Sequence, residues 1–281
     1  MHPQMAARPL HLFEAGVVTE QRFAGLASAP AALAEAFLHD LAPEKHVRVP
    51  FNPRDRWLTA ARESCRTLSD GIAASLRAGA QVGVLGGECT LVAGSLSGAL
   101  SVEPDLTLVY VDAHGDFNTL ATTQSHYVSG MCLAHVCGHS VAPLLWPGAR
   151  KIAEDHVTLV GGRALDAGER QNLERSRVAH IAFDTDHRDP ARVLAFARRT
   201  KVWLHVDVDI VDPSEMSAVV FPAPGGVPMR ALADLIAQIV GVADVRGFEL
   251  CGYDPKQDER RKLPAAISGL FASLAQRAVA V

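Results

Sequence analysis

The chain lacks the features that would place it in a membrane or in a secreted class of proteins. No apolar run approaches the length of a membrane-spanning helix, and the first residues contain no apolar stretch followed by a signal-peptide cleavage site. Cysteines are few, odd in number and without the spacing of a disulfide framework, which argues against a secreted disulfide scaffold. The five are Cys65, Cys89, Cys132, Cys137 and Cys251. We therefore expect a cytoplasmic protein with no membrane partner.

The sequence also lacks a strong charge of either sign. Its 27 Lys and Arg residues are interspersed with 31 Asp and Glu residues, which gives a net charge of −4 at pH 7. Domains that bind nucleic acid usually carry a basic stripe, and the sequence shows none. It also lacks a phosphate-binding glycine loop with a lysine and a Rossmann glycine fingerprint. The expected partner is a small-molecule substrate, not a nucleic acid.

The sequence does contain a regular alternation of strand-like and helical segments. Of its 281 residues 48% are hydrophobic, which is enough for a large core, and α/β architectures of this length commonly form one domain. Alternating strands and helices indicate a mostly parallel sheet. The predicted strands are 10–13, 47–51, 82–85, 106–111, 157–160, 178–183, 202–207 and 246–250. We predict a single three-layer α/β/α domain over residues 1–281, with a closing helix at 262–278.

The strand predicted at residues 106–111 leads directly into residue types that bind metals. Asp112, His114 and Asp116 are spaced two apart, so their side chains point the same way if the backbone stays extended. Two carboxylates this close would raise the pKa of one of them unless a divalent cation removes the repulsion. The alternative interpretation is a loop of solvated aspartates with a core histidine.

A second strand ends in the same way. Residues 202–207 are mostly apolar and are followed by carboxylates, of which Asp207 and Asp209 share a face. Parallel strands present their carboxyl ends at one edge of the sheet, where such sheets bind ligands. Asp212 precedes Pro213 and is interpreted as a turn opener. The two segments together predict a site of oxygen and nitrogen ligands, which suits Mn²⁺ or Mg²⁺ better than a soft metal.

Three segments of the chain resemble the signature segments of the ureohydrolase family, which includes arginase, agmatinase and formimidoylglutamase. They are Gly86-Gly87-Glu88-Cys89-Thr90, Asp112-Ala113-His114-Gly115-Asp116 and Asp207-Val208-Asp209-Ile210-Val211-Asp212-Pro213. Their order and spacing match the family over most of the chain. The resemblance implies a parallel sheet of about eight strands and a binuclear manganese site that hydrolyses a C–N bond of a guanidino or related linear amidine.

The resemblance also assigns the metal ligands. It implies that Asp112 and Asp207 bridge two metal ions, that His114 and Asp209 complete one site, and that Asp116 belongs to the other.

The family's remaining ligand is a histidine, and this chain has Cys89 in its place. A thiolate is soft and forms only after deprotonation, so the exchange is expected to weaken manganese at that site or to favour zinc or iron. The alternative is that Cys89 is a small buried residue beside the glycine turn. The expected cofactor is therefore one or two Mn²⁺ ions per chain.

Two positions thought to contact the substrate also depart from the family pattern. Gly252 stands where the family has a glutamate that holds the guanidinium, which leaves Glu88 and Tyr253 as candidate substrate contacts. Ser129, a further candidate contact, stands where arginases commonly have a histidine that transfers protons. His126 lies three residues earlier and is the candidate for that catalytic role, the alternative being a surface-loop histidine.

The expected reaction is attack of a metal-activated water on an amidine carbon. Asp116 would hydrogen-bond the water and pass its proton to the leaving nitrogen. Asn118 would orient a polar group of the substrate or cap a turn.

The departures also bear on the substrate. Loss of an anionic partner at Gly252 costs a cationic substrate on the order of 2 to 5 kcal/mol of affinity. We therefore expect a less cationic substrate than arginine, such as a hydroxyguanidine or a formimino compound, and not a standard arginase. The alternative is a metal-binding relative that has lost catalysis and has a regulatory or assembly role.

The remaining expectations concern the surface. The Pro- and Gly-rich loop at residues 221–228 follows the second acidic strand and is expected to wall the site. The resemblance implies a homo-oligomer, and Trp146 and Phe221 are apolar residues of expected exposed loops.

Overall fold

One sheet of parallel strands forms the centre of the fold. The computed structural model describes residues 8–54, 56–139, 144 and 146–274. The strands are β1 (Leu10–Ala15), β2 (Lys45–Arg48), β3 (Gln81–Gly86), β4 (Thr107–Asp112), β5 (Val157–Gly161), β6 (Ala179–Ile181), β7 (Lys201–Asp207) and β8 (Asp244–Cys251). They lie in the order β2-β1-β3-β8-β7-β4-β5-β6, and every neighbouring pair is parallel.

Helices cover both faces of this sheet. They are α1 (Ala29–Leu41), α2 (Trp57–Arg77), α3 (Val92–Leu100), α4 (Cys132–Val136), α5 (Ala167–Arg175), α6 (Ala191–Ala197), α7 (Met229–Val242) and α8 (Leu263–Gly269). Buried side chains of α1, α6, α7 and α8 belong to one core cluster, and those of α2, α3, α4 and α5 to a second. The sheet therefore lies between two helical layers.

Apolar patterning explains both kinds of element. In α2, residues three or four apart are buried along one side, as an amphipathic helix requires. They are Ala61, Cys65, Leu68, Ile72 and Leu76. Strand β4 is buried at every position, as expected for a central parallel strand with helices on both faces.

The predicted fold class, a three-layer α/β/α architecture with a parallel sheet of eight strands, is confirmed.

The second strand lies at Lys45–Arg48 rather than 47–51, since Pro50 has no N–H to donate to a neighbouring strand. The predicted closing helix is interrupted: α8 ends at Gly269, a residue that destabilises helix interiors, and residues 272–274 are helical again. Positions 275–278 of the predicted range lie outside the described residues. Trp146, expected to be exposed, is partly buried against the second core cluster.

The strand order decides which loops meet. Strands β3, β8, β7 and β4 are consecutive neighbours, so the segments that follow them lie side by side at the carboxyl edge of the sheet. Both acidic segments and the Cys89 turn are among these segments. Among the described residues no helix has the length and apolar character needed to cross a membrane.

Candidate metal centre

The first acidic segment meets the second at the carboxyl edge of the sheet. One ligand atom each from Asp112, His114 and Asp209 lies within 4.8 Å of the other two. His114 Nδ1 is 2.8 Å from Asp209 Oδ2 and 3.5 Å from Asp112 Oδ1. The backbone fixes both carboxylates, because Asp112 Oδ1 accepts the His114 N–H at 2.6 Å and Asp209 Oδ1 accepts the Ala113 N–H at 3.0 Å. We call Asp112, His114 and Asp209 the hard group.

A second group shares one residue with the first. Cys89, Asp112 and Asp207 also have ligand atoms within 4.8 Å of one another. Cys89 Sγ lies 3.0 Å from Asp207 Oδ2 and 3.8 Å from Asp112 Oδ2. Asp207 Oδ1 accepts the Asp209 N–H at 2.8 Å, so the two groups are linked through backbone as well as through Asp112.

The buried carboxylates are electrostatically unfavourable without a cation. Burial raises the pKa of Asp112 well above its usual range, and repulsion from Asp209 adds to the rise. Burial, followed by repulsion from Asp209, raises the pKa of Asp207 to about 7. Burial also acts on Asp209, but hydrogen bonding and charge from His114 outweigh it and lower the pKa of that carboxyl. A divalent cation would relieve this repulsion, so the residues present fit a metal ion.

The same surroundings favour the charged form of His114. Burial alone would lower its pKa, but the hydrogen bonds and charges of Asp112 and Asp209 outweigh it and raise the pKa to about 12. Its proton therefore partly neutralises the carboxylates, and a cation bound there would take the place of that proton. Carboxylate oxygens with one imidazole nitrogen form a donor set that suits Mn²⁺.

Asp116 belongs to neither group, although its charge acts on Asp112 and on Cys89. Its backbone has a φ of +48°, in the left-handed region, so the extended segment ends before this residue. The carboxylate turns toward β4 and α4, where Oδ2 accepts the Tyr110 hydroxyl at 2.6 Å and the Cys132 thiol at 3.2 Å. Burial raises its pKa. None of the ligand groups found among the described residues includes Asp116, so its role as a metal ligand stays a prediction.

Three further candidate site residues form hydrogen bonds with protein groups outside the two ligand groups. Asn118 donates to Asp166 and accepts from the Thr122 hydroxyl, so it fixes its own loop. The Tyr253 hydroxyl is buried and donates to Asp258 Oδ2 at 3.0 Å. His126 is exposed, and its backbone N–H donates to Thr123.

Glu88 and Ser129 line a small cavity above the second group. The cavity has a volume of about 40 Å³, and Cys89, Asp207 and Asp209 also line it. That volume is close to the space of one water molecule. Glu88 accepts hydroxyl hydrogen bonds from Thr90 and Tyr127, and burial raises its pKa, so it is poorly placed to hold a cationic substrate.

A larger cavity of about 480 Å³ opens beside the hard group. His114, Arg163 and the loop 220–224 line it, so the loop expected to wall the site lies there. Arg163 holds this loop by donating to the backbone carbonyls of Asp209, Ile210, Ala223 and Pro224. Phe221 is 45% exposed on the loop.

The sequence interpretation missed several residues that shape the site. Arg163 occurs in no recognised motif, and its four carbonyl partners cannot be inferred from spacing. His205 precedes Asp207 by two residues and therefore shares its face, a signal that was available. Cys251 pairs with Asp207 across β7 and β8, which requires the strand order.

Glu169 joins the first acidic segment to α5 and is expected to make stability depend on pH. It accepts the Phe117 and Asp166 N–H groups, at 2.9 and 3.2 Å. Burial raises its pKa from 4.5 to about 7. The stability contributed by its protonated form is thus complete below pH 4.5 and lost as the pH rises through 7.

Urea unfolding of the Glu169→Gln variant measures this effect. Relative to the unmodified protein, the variant should gain about 2 kcal/mol of unfolding free energy between about pH 5 and pH 7.5. Glu174→Gln, on the exposed face of the same helix, is the control and should show no such gain. A pH-independent difference for Glu169→Gln would contradict the raised pKa.

Gly252 is expected to be intolerant of any side chain. Its φ is +86°, and a Cβ there would lie 2.1 Å from Asp207 Oδ1. Gly79 has a similar φ of +82° with nothing within 4 Å of the corresponding position, which makes Gly79→Ala a matched control. Both variants should lose about 1 to 2 kcal/mol of stability from the left-handed backbone. Only Gly252→Ala should lose more than this and retain less manganese after dialysis. Equal losses would show that Asp207 moves without cost.

The chain is similar in sequence to known proteins. The model of the family described as "Arginase family" matches residues 18–278. The chain is 30% identical over 230 residues to an arginase of Bacillus caldovelox, covering 79% of this chain and 77% of that protein. It is 26% identical over 212 residues to an N(omega)-hydroxy-L-arginine amidinohydrolase of Streptomyces lavendulae, covering 74% of each.

A solved structure agrees with these matches. The arginase of Bacillus caldovelox superposes with a TM-score of 0.82 at 25% identity, covering 95% of this chain and 98% of the other. With the family match, these relatives confirm the predicted enzyme class, a hydrolase of C–N bonds in linear amidines. The family model matches most of the chain's length, and the fold agrees with that of a solved arginase. The chain therefore belongs to the arginase family.

Proposed function

We propose that this protein is a manganese-dependent hydrolase that cleaves a C–N bond of a linear amidine less cationic than arginine. The observation that supports this most strongly is the hard group, in which Asp112, His114 and Asp209 converge at the carboxyl edge beside a cavity of about 480 Å³.

Each residue of the hard group has a role in the proposal. Asp112, His114 and Asp209 would hold a Mn²⁺ ion, which when bound lowers the pKa of a water for attack on a trigonal amidine carbon. Tyr110 and Cys132 both donate to Oδ2 of Asp116. This leaves Oδ1 of Asp116 as the atom proposed to accept a proton and return it to the leaving nitrogen. His126 is exposed, and we assign it no role in this step.

The surroundings of Gly252 favour a substrate of low positive charge. No carboxylate stands at that position, the Tyr253 hydroxyl is bound to Asp258, and burial disfavours the charged form of Glu88. A guanidinium would thus lack an anionic partner from these residues. An N-hydroxyguanidine is less basic, and a relative in Streptomyces lavendulae is named for the hydrolysis of such a compound.

The number of manganese ions follows from Cys89. Its thiol is buried, and burial raises its pKa well above the usual range, so ligation at the second group must displace a tightly held proton. We propose one firmly held Mn²⁺ in the hard group. A second Mn²⁺ ion, at the group that contains Cys89, would be bound more weakly.

Location and assembly are also proposals. All five cysteines are free, as expected in a reducing compartment, so the proposed location is the cytoplasm. The exposed Phe221 at the mouth of the larger cavity is consistent with a homo-oligomer that covers it.

A substrate panel tests the proposal. Protein with measured manganese content is assayed against arginine, N-hydroxyarginine, agmatine and a formimino amino acid, scoring release of urea-type products or ammonia. The expected result is hydrolysis with a kcat/KM for the less basic compounds at least tenfold above that for arginine. A tenfold ratio of kcat/KM corresponds to about 1.4 kcal/mol of activation free energy. No hydrolysis of any compound by fully loaded protein would favour the alternative of a catalytically inactive metal-binding relative.

A further inference from the structure

A third cluster of ligand atoms lies beneath the acidic groups and has a different chemical character. Cys89, His205 and Cys251 each offer one atom within 4.8 Å of the other two, and all three residues are buried. Cys89 follows β3, Cys251 ends β8 and His205 lies in β7, so the cluster joins three neighbouring strands. We call these residues the thiol group.

His205 is already oriented as metal-ligating histidines are. Its Nδ1 lies 2.6 Å from Oε1 of Glu249, and both side chains are fully buried. A carboxylate oxygen accepts, so Nδ1 carries the proton and Nε2 presents its lone pair. Nε2 is buried and has no hydrogen-bond partner among the described residues, which is costly unless something binds it. Ligating histidines usually donate their other N–H to such a carboxylate.

A flat aromatic neighbour further fixes the imidazole. The Tyr110 ring stacks on His205 with centroids 3.9 Å apart and planes inclined by 4°. Tyr110 is itself held by its hydrogen bond to Asp116. The ring of His205 is therefore fixed in plane by Glu249 and in tilt by Tyr110, without any bond to Nε2.

The donor atoms determine which ion fits. Two sulfurs and one imidazole nitrogen are soft and borderline ligands, which select zinc over manganese. Tetrahedral zinc, with bonds of about 2.3 Å to sulfur and 2.0 Å to nitrogen, holds its ligand atoms about 3.5 Å apart, a spacing within the limit that the three atoms satisfy. Asp207 Oδ2, 3.0 Å from Cys89 Sγ, can serve as a fourth ligand.

We propose that Cys89, His205 and Cys251 bind a zinc ion that is separate from the manganese of the hard group. Binding displaces two thiol protons to solvent, and the two thiolates then balance the charge of Zn²⁺ with a neutral imidazole. The zinc ties the ends of β3, β7 and β8 together and fixes Asp207, which lines the small cavity. Cys89, the cysteine in place of the family's histidine, thus becomes part of a site with His205 and Cys251.

Metal content of the purified protein tests this. Protein prepared under reductant with both metals supplied should contain about one zinc per chain, and Cys251→Ala should lose it while keeping its manganese. Cys65→Ala is the matched control, because Cys65 is an equally buried cysteine outside all three ligand groups. Substitution with Co²⁺ should give thiolate-to-cobalt charge-transfer absorption in the unmodified protein and in Cys65→Ala, and weakened absorption in Cys251→Ala.

A milder variant separates loss of zinc from loss of folding. Glu249→Gln keeps an acceptor for His205 but removes the charge, and it should weaken zinc binding about 10- to 100-fold without removing a ligand. Three results would overturn the proposal: no zinc or cobalt bound under reductant, equal zinc in Cys251→Ala and Cys65→Ala, or thiol titration of the native protein showing Cys89 and Cys251 joined in a disulfide.

Discussion

Replacing Asp209 by asparagine is expected to remove manganese from the protein and to abolish amidine hydrolysis. Asparagine can still accept the Ala113 N–H through one oxygen, so the local backbone is kept. It loses the carboxylate oxygen that lies 2.8 Å from His114 Nδ1 and with it the negative charge of the hard group. Since loss of groups that only support a ligand already costs 10- to 100-fold in metal affinity, loss of a ligand should cost more than about 100-fold.

The control for this variant is a neighbouring aspartate. Asp212 lies on the same segment, but its carboxylate accepts from the Ser214 backbone and hydroxyl and belongs to no ligand group found among the described residues. Asp212→Asn should keep manganese content and kcat/KM within about twofold, a change below 0.5 kcal/mol. Full manganese in Asp209→Asn, measured by mass spectrometry after dialysis, would mean that the hard group does not hold the metal.

Replacing Arg163 by alanine is expected to loosen the loop beside the hard group. Its guanidinium donates to the carbonyls of Asp209 at 2.9 Å, Ile210 at 3.1 Å, Ala223 at 2.8 Å and Pro224 at 3.1 Å. Hydrogen bonds from a charged donor contribute about 1.5 to 3 kcal/mol each when buried, and this site is partly exposed, so a total loss of about 3 kcal/mol is expected. Because the Asp209 carbonyl is among the partners, KM and manganese retention should change as well.

Urea unfolding and steady-state kinetics measure this effect. Arg230→Ala is the control, since the Arg230 side chain is 93% exposed and its nearest carboxylate is 4.0 Å away. That change should cost no more than about 0.5 kcal/mol. If Arg163→Ala were as stable and as active as Arg230→Ala, the loop would be held by other contacts.

The site location was predictable because it follows from strand chemistry alone. Buried parallel strands are continuous apolar runs, so the residues at which carboxylates replace them mark the strand ends at 112 and 207. Adjacent parallel strands bring those ends to one edge, and β4 and β7 are indeed neighbours. The single-domain organisation over residues 1–281 stays a prediction.

The rest of the site depends on features that sequence spacing does not encode. The direction of the Asp116 carboxylate depends on a left-handed backbone at that residue, which spacing alone does not reveal. The thiol group brings together residues 89, 205 and 251, which meet only because β8 lies between β3 and β7. Such a strand order results from packing of the whole chain and not from any local pattern.

The position of manganese in a crystal of the metal-loaded protein tests the proposed centre most directly. Anomalous scattering recorded on either side of the manganese absorption edge locates that element separately from zinc. The expected result is a manganese peak bound by Asp112, His114 and Asp209. Manganese bound only at Cys89, His205 and Cys251, or no ordered manganese in a protein that hydrolyses amidines, would contradict the proposed centre.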